Sequence, residues 1–148
     1  MRLWHYKLLP YLPDAQFKGQ LREAIAIMHD WRDKGTTNHI LINCVMDYPK
    51  ADLSTYFAWY CYLYKERYGK NVNSKYIDEF YEFKLPYDTN TFKVKGIFNG
   101  WHDLIYLKIC MINLYEKHLA KGKSRITGEE WNRLLDGYKS ITRKKWRI

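Results

Sequence analysis

Apolar residues recur at spacings of three and four in three long stretches of the sequence. The first stretch, from Asp14 to about Arg32, repeats Phe17, Leu21, Ala24, Ile25 and Met28. The second stretch, Lys50 to Tyr68, repeats Leu53, Tyr56, Phe57, Tyr60, Leu63 and Tyr64. The third, Gly100 to Ala120, repeats Leu104, Leu107, Met111, Leu114 and Tyr115, together with Ile105, Ile109 and Ile112. This spacing puts side chains on one face of an α-helix, whereas strands alternate with a period of two. The sequence therefore predicts an all-α fold with three main helices, the third being central and having a wide apolar face.

Residues suited to begin and end helices agree with the first two of these stretches. Asp14 is suited to cap the first helix, and Gly35 and Gly69 are suited to end the first and second. A second face of the first helix carries Gln16, Gln20 and Glu23. The aromatic stripe of the second helix is typical of core packing rather than of a base-stacking platform.

Shorter elements complete the predicted fold. A short helix is predicted near Ser74 to Phe83, inside a polar stretch that otherwise reads as loop. Thr127 and Glu130 form a capping box, with Ile126 and Trp131 at the staple positions, which predicts a helix from about Gly128 to Asp136. Asn38 to Met46 is short and apolar, and its periodicity leaves open a strand, a loop or a helical turn.

Length and cysteine usage limit the class of protein. A chain of 148 residues corresponds to one ordinary domain, here residues 1–148, that can bury a core without disulfides. It contains no run of about 18 apolar residues, so no membrane span is expected. The three cysteines Cys44, Cys61 and Cys110 are widely spaced among apolar neighbours, which predicts buried free thiols in a reducing compartment, the cytoplasm.

The charge indicates a polyanionic partner. Lysine and arginine number 25 against 16 acidic residues, a formal net charge of +9. The stretch from Lys139 to Arg147 has five basic residues and no acid, with Tyr138 and Trp146 beside the cations. Cations that contact phosphates and aromatics that stack on bases would suit nucleic acid. The alternative for this stretch is a frayed, solvated terminus.

Six motifs, three of them near the N-terminus, resemble a known family. They are Met1-Arg2-Leu3-Trp4-His5, Leu9-Pro10-Tyr11-Leu12-Pro13, Gly19-Gln20-Leu21-Arg22-Glu23, Asn38-His39-Ile40-Leu41, Met46-Asp47-Tyr48-Pro49 and Gly100-Trp101-His102. Together they resemble the phage-type pyrimidine-dimer DNA glycosylases, also called endonuclease V enzymes, and within them a bacterial and phage branch. The resemblance implies a compact helical DNA-repair enzyme that acts on damaged duplex DNA.

The same resemblance implies roles for individual residues. The N-terminal α-amine, here that of Met1, would attack the sugar of the damaged nucleotide and hold it as a Schiff base, so that base removal and AP lyase cleavage follow one another. Glu23 matches the catalytic glutamate of the family, and Arg22 matches a DNA-binding arginine beside it. An α-amine titrates near ~7.7 to 8.0, so a neutral fraction exists at cellular pH. Without the resemblance, Glu23 would be an ordinary solvated helix carboxylate.

The sequence departs from the best-known family members at three positions. Arg2 is bulky and should block removal of Met1, whereas those enzymes expose a threonine amine. Gln16 and Ala26 stand where those enzymes have a histidine and a further arginine. The predicted DNA-binding residues are Arg2, Gln16, Lys18 and Arg22 near the N-terminus and Arg143, Lys144, Lys145 and Trp146 near the C-terminus, with His5 as a further possible replacement for a lost contact.

Neither a metal nor a nucleotide cofactor is expected. The histidines and cysteines lack ligand spacing, and no phosphate-binding glycine loop is present. The protein is expected to act as a monomer. Two alternatives stay open: a DNA-binding accessory protein of the same fold that has lost catalysis, and a metal-dependent nuclease using Asp47, Asp52 or Asp103.

Overall fold

The computed structural model describes residues 2–37, 39, 42–88, 94–122 and 125–147. These residues form five α-helices: α1 (Asp14–Lys34), α2 (Lys50–Tyr68), α3 (Ser74–Phe83), α4 (Leu104–Leu119) and α5 (Gly128–Thr142). Two 3-10 turns, Leu9–Tyr11 and Asn43–Asp47, precede α1 and α2. No strand occurs in the described ranges, and the all-α prediction is confirmed. None of the helices described is long and apolar enough to cross a membrane.

Two predicted helix boundaries need correction. Helix α4 begins at Leu104 rather than Gly100, because the Asp103 side chain accepts a bond from the Tyr106 backbone N–H (2.9 Å) and so caps the helix there. Helix α5 continues past Asp136 to Thr142. Tyr138 falls one turn beyond Leu134 and is buried with it, so the buried face persists beyond the predicted end. The capping box at Thr127 and Glu130 is present as predicted.

The chain divides into two compact units. The first comprises Met1–Leu3 and Gln20–Asn99, and the second comprises Trp4–Gly19 and Gly100–Ile148. The division falls inside α1, between Gly19 and Gln20. The expectation that residues 1–148 form a single domain stays a prediction.

Helix α2 supplies most of the aromatic core of the first unit. Tyr56 and Tyr60 are fully buried, and the Phe57 ring stacks on Phe80 of α3 with centroids 3.8 Å apart. The aromatic stripe therefore packs in the core, as predicted. Asp52, on the same helix, is also buried, and its carboxylate accepts bonds from the Tyr87 hydroxyl and the Phe98 backbone N–H, both 2.9 Å long.

Helix α4 packs against α5 in the second unit with a narrower face than predicted. Leu107, Cys110, Met111 and Leu114 are buried. In contrast, Ile105 is 70% exposed, and Ile109 and Ile112 are each 45% exposed. The wide apolar face is thus only partly buried, because these three isoleucines lie on the opposite side of the helix from the buried residues.

Gly137, in the middle of α5, is required by close packing rather than by backbone conformation. A Cβ atom built there would lie 2.4 Å from Cγ and 2.9 Å from Cβ of Tyr11. These atoms are near the main chain of the 3-10 turn, so the ring cannot swing aside alone. We expect Gly137→Ala to lower the free energy of unfolding by about 1–3 kcal/mol through overpacking, measured by urea denaturation.

Gly19 of α1 provides the matched control for this prediction. A Cβ at Gly19 would meet nothing within 4 Å, and alanine is the better helix former by up to about 1 kcal/mol. Gly19→Ala should therefore leave stability unchanged or raise it. Equal stability of the two variants would contradict the prediction and show that the turn at Tyr11 can move to accommodate the added methyl group.

Candidate active site and nucleic-acid interface

The backbone of Arg2 lies against the Glu23 carboxylate within the first unit. The Arg2 N–H donates a hydrogen bond of 3.1 Å to Oε2 of Glu23. Glu23 is half-buried on α1, and Arg2 is half-buried as well. The structure thus brings the predicted catalytic glutamate to the residue that follows Met1. Met1 itself lies outside the described residues, so its predicted role as nucleophile stays a prediction.

Gln20, one turn before Glu23 on α1, also hydrogen-bonds to the backbone of Arg2. Its Nε2 donates to the Arg2 carbonyl oxygen (2.8 Å), and its Oε1 accepts from the Tyr56 hydroxyl (3.1 Å). Gln20 and Tyr56 are fully buried, so these bonds are shielded from competing water. The spacing placed Gln20 on the face of Glu23, but no sequence signal indicated that its amide would bind the backbone of Arg2.

The other residues predicted to bind DNA from this part of the chain occupy different environments. Arg22 is exposed next to Glu23. Lys18 is exposed and pairs with Asp14 at 3.1 Å. Gln16 is half-buried, and its Oε1 is buried with no hydrogen-bond partner among the described residues. Their contacts with DNA stay predictions.

Two stacked histidines lie in the second unit. The rings of His5 and His102 are 5.1 Å apart. The Nδ1 atom of His102 accepts from the Tyr6 backbone N–H, and that of His5 accepts from the Lys7 backbone N–H, both at 3.1 Å. Each ring therefore carries its proton on Nε2.

Both of these histidines are neutral at physiological pH. Burial and the Lys7 charge lower the pKa of His5 to about 4. Burial, together with His5, lowers the pKa of His102 well below its ordinary value. Desolvation disfavours the charged imidazolium. Neither ring therefore contributes positive charge to the second unit.

The predicted C-terminal cations divide between two surfaces of the second unit. Arg143 ends α5 in a left-handed conformation and lines a cavity with Asp136, Lys139 and Ser140. Lys144 and Lys145 line a different cavity. Trp146 is half-buried with its ring edge-on to Tyr138 at 5.1 Å. The segment after α5 is thus partly packed.

Two of the carboxylates considered for a metal-dependent nuclease accept hydrogen bonds from other residues of the fold. Asp52 binds Tyr87 and Phe98, and Asp103 caps α4. Asp47 is exposed at the end of the second 3-10 turn. Within the described ranges, no group of three or more histidine, cysteine or acidic residues could hold a metal ion.

The three cysteines are free thiols. Cys110 is buried as predicted, whereas Cys44 and Cys61 are half-buried. Burial raises the pKa of Cys61 to about 12 and also raises that of Cys44. Because the thiolate is the reactive form, neither thiol is suited to act as a nucleophile.

Comparison with known proteins gives a family match in the N-terminal half of the chain. The family model described as pyrimidine dimer DNA glycosylase matches residues 1–78, which include Arg2, Gln20, Arg22 and Glu23. No curated protein and no solved structure matches the chain. The match covers more than half of the 148 residues and contains the whole Arg2–Glu23 arrangement. The chain belongs to the pyrimidine dimer DNA glycosylase family.

Proposed function

We propose that this protein is a DNA glycosylase with associated AP lyase activity that acts on pyrimidine dimers in duplex DNA. The observation that carries the proposal is the 3.1 Å hydrogen bond from the Arg2 N–H to Glu23. This bond puts a carboxylate beside the first peptide group of the chain, inside the region matched by the family model. The damaged nucleotide must leave the base stack before its sugar can react there.

The proposed nucleophile is the α-amine of Met1. Its ordinary pKa, near ~7.7 to 8.0, leaves a neutral fraction at cellular pH without special tuning. The nitrogen lone pair attacks C1′, and the bond between C1′ and the pyrimidine breaks, its electrons leaving with the base, which takes up a proton. The amine then loses a proton, and the C1′–O4′ bond opens with protonation of O4′. The product is a Schiff base between protein and sugar.

Strand cleavage follows from the same intermediate. Removal of a proton from C2′ lets the electrons of that C–H bond expel the 3′ phosphate, which is β-elimination. Glu23 is the proposed group that stabilises the positive charge on the sugar and carries these protons. Water then hydrolyses the Schiff base and returns the free amine. No metal ion or cofactor is needed for any of these steps.

The proposed DNA contacts come from both ends of the chain. Arg22 is exposed beside Glu23 and is suited to bind a phosphate through two parallel hydrogen bonds. Arg2, Gln16 and Lys18 complete the N-terminal set, and Arg143, Lys144, Lys145 and Trp146 form the C-terminal set. The net charge of +9 supports binding to a polyanion. We further propose that the enzyme acts as a monomer in the cytoplasm, a reducing compartment that suits its free cysteines.

A catalytically inactive DNA-binding accessory protein is the second candidate. Three sequence features favour it: Gln16 and Ala26 replace basic side chains of the better-known enzymes, and Arg2 keeps Met1 in place of a threonine amine. This candidate retains the fold and the positive charge but forms no covalent intermediate with DNA.

Borohydride trapping separates the two candidates. The protein is incubated with ultraviolet-irradiated duplex DNA and borohydride, with a chelator present, and any crosslink is mapped by mass spectrometry. We expect a crosslink at the Met1 amine, because borohydride reduces a Schiff base to a stable secondary amine. The unirradiated duplex, which offers no damaged base, is the control and should give none.

Other outcomes of the trapping experiment have distinct meanings. A crosslink at a lysine would keep the reaction class but reject Met1 as the nucleophile. A crosslink that forms only when the chelator is omitted would reject the metal-independent reaction. Tight binding without any crosslink, on irradiated and on abasic DNA alike, would reject the glycosylase in favour of the accessory protein.

A further inference from the structure

Two adjoining cavities in the second unit are lined by lysines that come from three separate segments. The first cavity, of about 270 Å³, is lined by Lys7, Lys108 and Lys144. The second, of about 440 Å³, is lined by Lys108, Lys144, Lys145 and Arg147. Both share Lys108, Tyr138 and Lys144, so they form one surface, which we call the basic groove.

The positive charge of the basic groove is not neutralised within the described part of the chain. None of its five cations forms an ion pair with a described carboxylate. Among the described residues that line the two cavities, Asp103 is the one acidic residue. Its carboxylate already accepts the Tyr106 N–H. Cations from distant positions of the sequence thus converge without an ion-pair partner among the described residues, an arrangement that attracts an anionic partner.

The ends of two helices also shape the electrostatics of the groove. Helix α4 begins there, since Asp103, Leu104 and Leu107 line the first cavity, and its N-terminus contributes partial positive charge. The C-terminal end of α5 lies there too, with the opposite sign. Two of the carbonyl groups at this end of α5 already accept hydrogen bonds. Tyr138 O accepts from the Thr142 hydroxyl (2.8 Å), and Lys139 O accepts from the Arg143 N–H (2.7 Å).

We propose that the basic groove binds the phosphodiester backbone of duplex DNA. Five cations spread over two adjoining cavities fit a chain of successive phosphates better than a single anion. The inference deepens the proposed function and rests on it for the identity of the partner. All of the groove's cations except Lys7 lie outside residues 1–78, the region that the family model matches. Lys7 and Lys108 were not among the residues predicted from the sequence.

The salt dependence of binding tests this proposal. Affinity for a short undamaged duplex is measured by fluorescence anisotropy between about 50 and 200 mM salt. The test protein carries Lys7→Ala, Lys108→Ala and Lys144→Ala together. Each lost phosphate contact should reduce the slope of log K against log salt by about 0.9, so we expect a slope smaller by roughly 2 to 3 and at least a tenfold loss of affinity.

A matched variant controls for the change in net charge. Lys70→Ala, Lys84→Ala and Lys95→Ala removes three exposed lysines from the first unit. It should retain a slope close to that of the unmodified protein. Replacing Lys7, Lys108 and Lys144 by arginine keeps the charges and should also preserve the slope. Equal slopes for the two alanine triples would overturn the proposal. Binding to anionic lipid vesicles is measured as well. If the Lys7, Lys108 and Lys144 alanine triple lost binding to the vesicles but bound DNA normally, the proposal would also be overturned.

The test is independent of catalysis. Undamaged DNA offers no reacting base, so a groove defect would be visible even if no Schiff base ever formed. Failure of borohydride trapping with a reduced salt slope would reject the proposed enzyme and keep the DNA-binding groove. Successful trapping, with equal salt slopes for the two alanine triples, would keep the proposed enzyme and reject the DNA-binding groove.

Discussion

Glu23→Gln is expected to reduce the rate of pyrimidine-dimer excision by about 10²- to 10⁴-fold, the usual contribution of a positioned acid–base group. A glutamine oxygen can still accept the Arg2 N–H, which Glu23 binds at 3.1 Å. The substitution therefore removes the negative charge and the proton-transfer capacity and keeps the local geometry. The rate is measured under single-turnover conditions, with enzyme in excess over a duplex that carries one dimer.

Affinity for undamaged duplex should change little in this variant, because the neighbouring cations are retained. Glu82→Gln, at an exposed position of α3, makes the same change of charge in the first unit and should excise at the normal rate. Unimpaired excision by Glu23→Gln would remove this carboxylate from the mechanism. Equal losses in both variants would attribute the effect to net charge.

Gln20→Leu is expected to lower the single-turnover excision rate by about 10²-fold, although Gln20 is not proposed to touch the substrate. Gln20 is fully buried and bonds both the Arg2 carbonyl and the Tyr56 hydroxyl. Leucine removes both bonds, so Arg2 would be positioned less precisely beside Glu23. Misplacement of a reacting group by about 1 Å can cost this much in rate. Loss of the buried hydrogen bonds should also lower the free energy of unfolding by roughly 1–3 kcal/mol.

A stability-matched control separates a positioning role from a general loss of folding. Gly137→Ala in the second unit is expected to cost a similar free energy of unfolding through its contact with Tyr11. Both variants are measured well below their unfolding midpoints. Gly137→Ala should excise normally, and Gln20→Leu slowly with near-normal affinity for undamaged DNA. Equal rates in the two variants would reduce Gln20 to a purely structural residue.

The helices followed from local signals in the sequence. The bounds of α2 and α3 agree with those predicted from the sequence, and the capping box before α5 is formed by the predicted residues. Such signals act over a few residues, through side chains on one helix face and backbone groups at helix ends. The two boundary errors lie at the start of α4, which the Asp103 cap sets at Leu104, and at the end of α5, which continues to Thr142.

Burial was less predictable than helix formation. The isoleucines of α4 follow helical spacing as well as Leu107, Met111 and Leu114 do, yet Ile105 is 70% exposed. The spacing of a mostly apolar helix is compatible with several buried faces, and only its packing against α5 selects one of them. Likewise, the close approach of Tyr11 to Gly137 is apparent only from the tertiary structure.

For the candidate site, the sequence by itself predicted Glu23 and Arg22 from their match to a family motif, and it determined the basic character of the chain. These depend on residue type, on place within a motif and on a sum of charges. The contact of Arg2 with Glu23, the anchoring role of Gln20 and the convergence of Lys7, Lys108 and Lys144 were decided by the tertiary structure alone. Each joins residues far apart in the chain, and hydrogen bonding and electrostatic fields depend on distance in space, which neither composition nor periodicity contains.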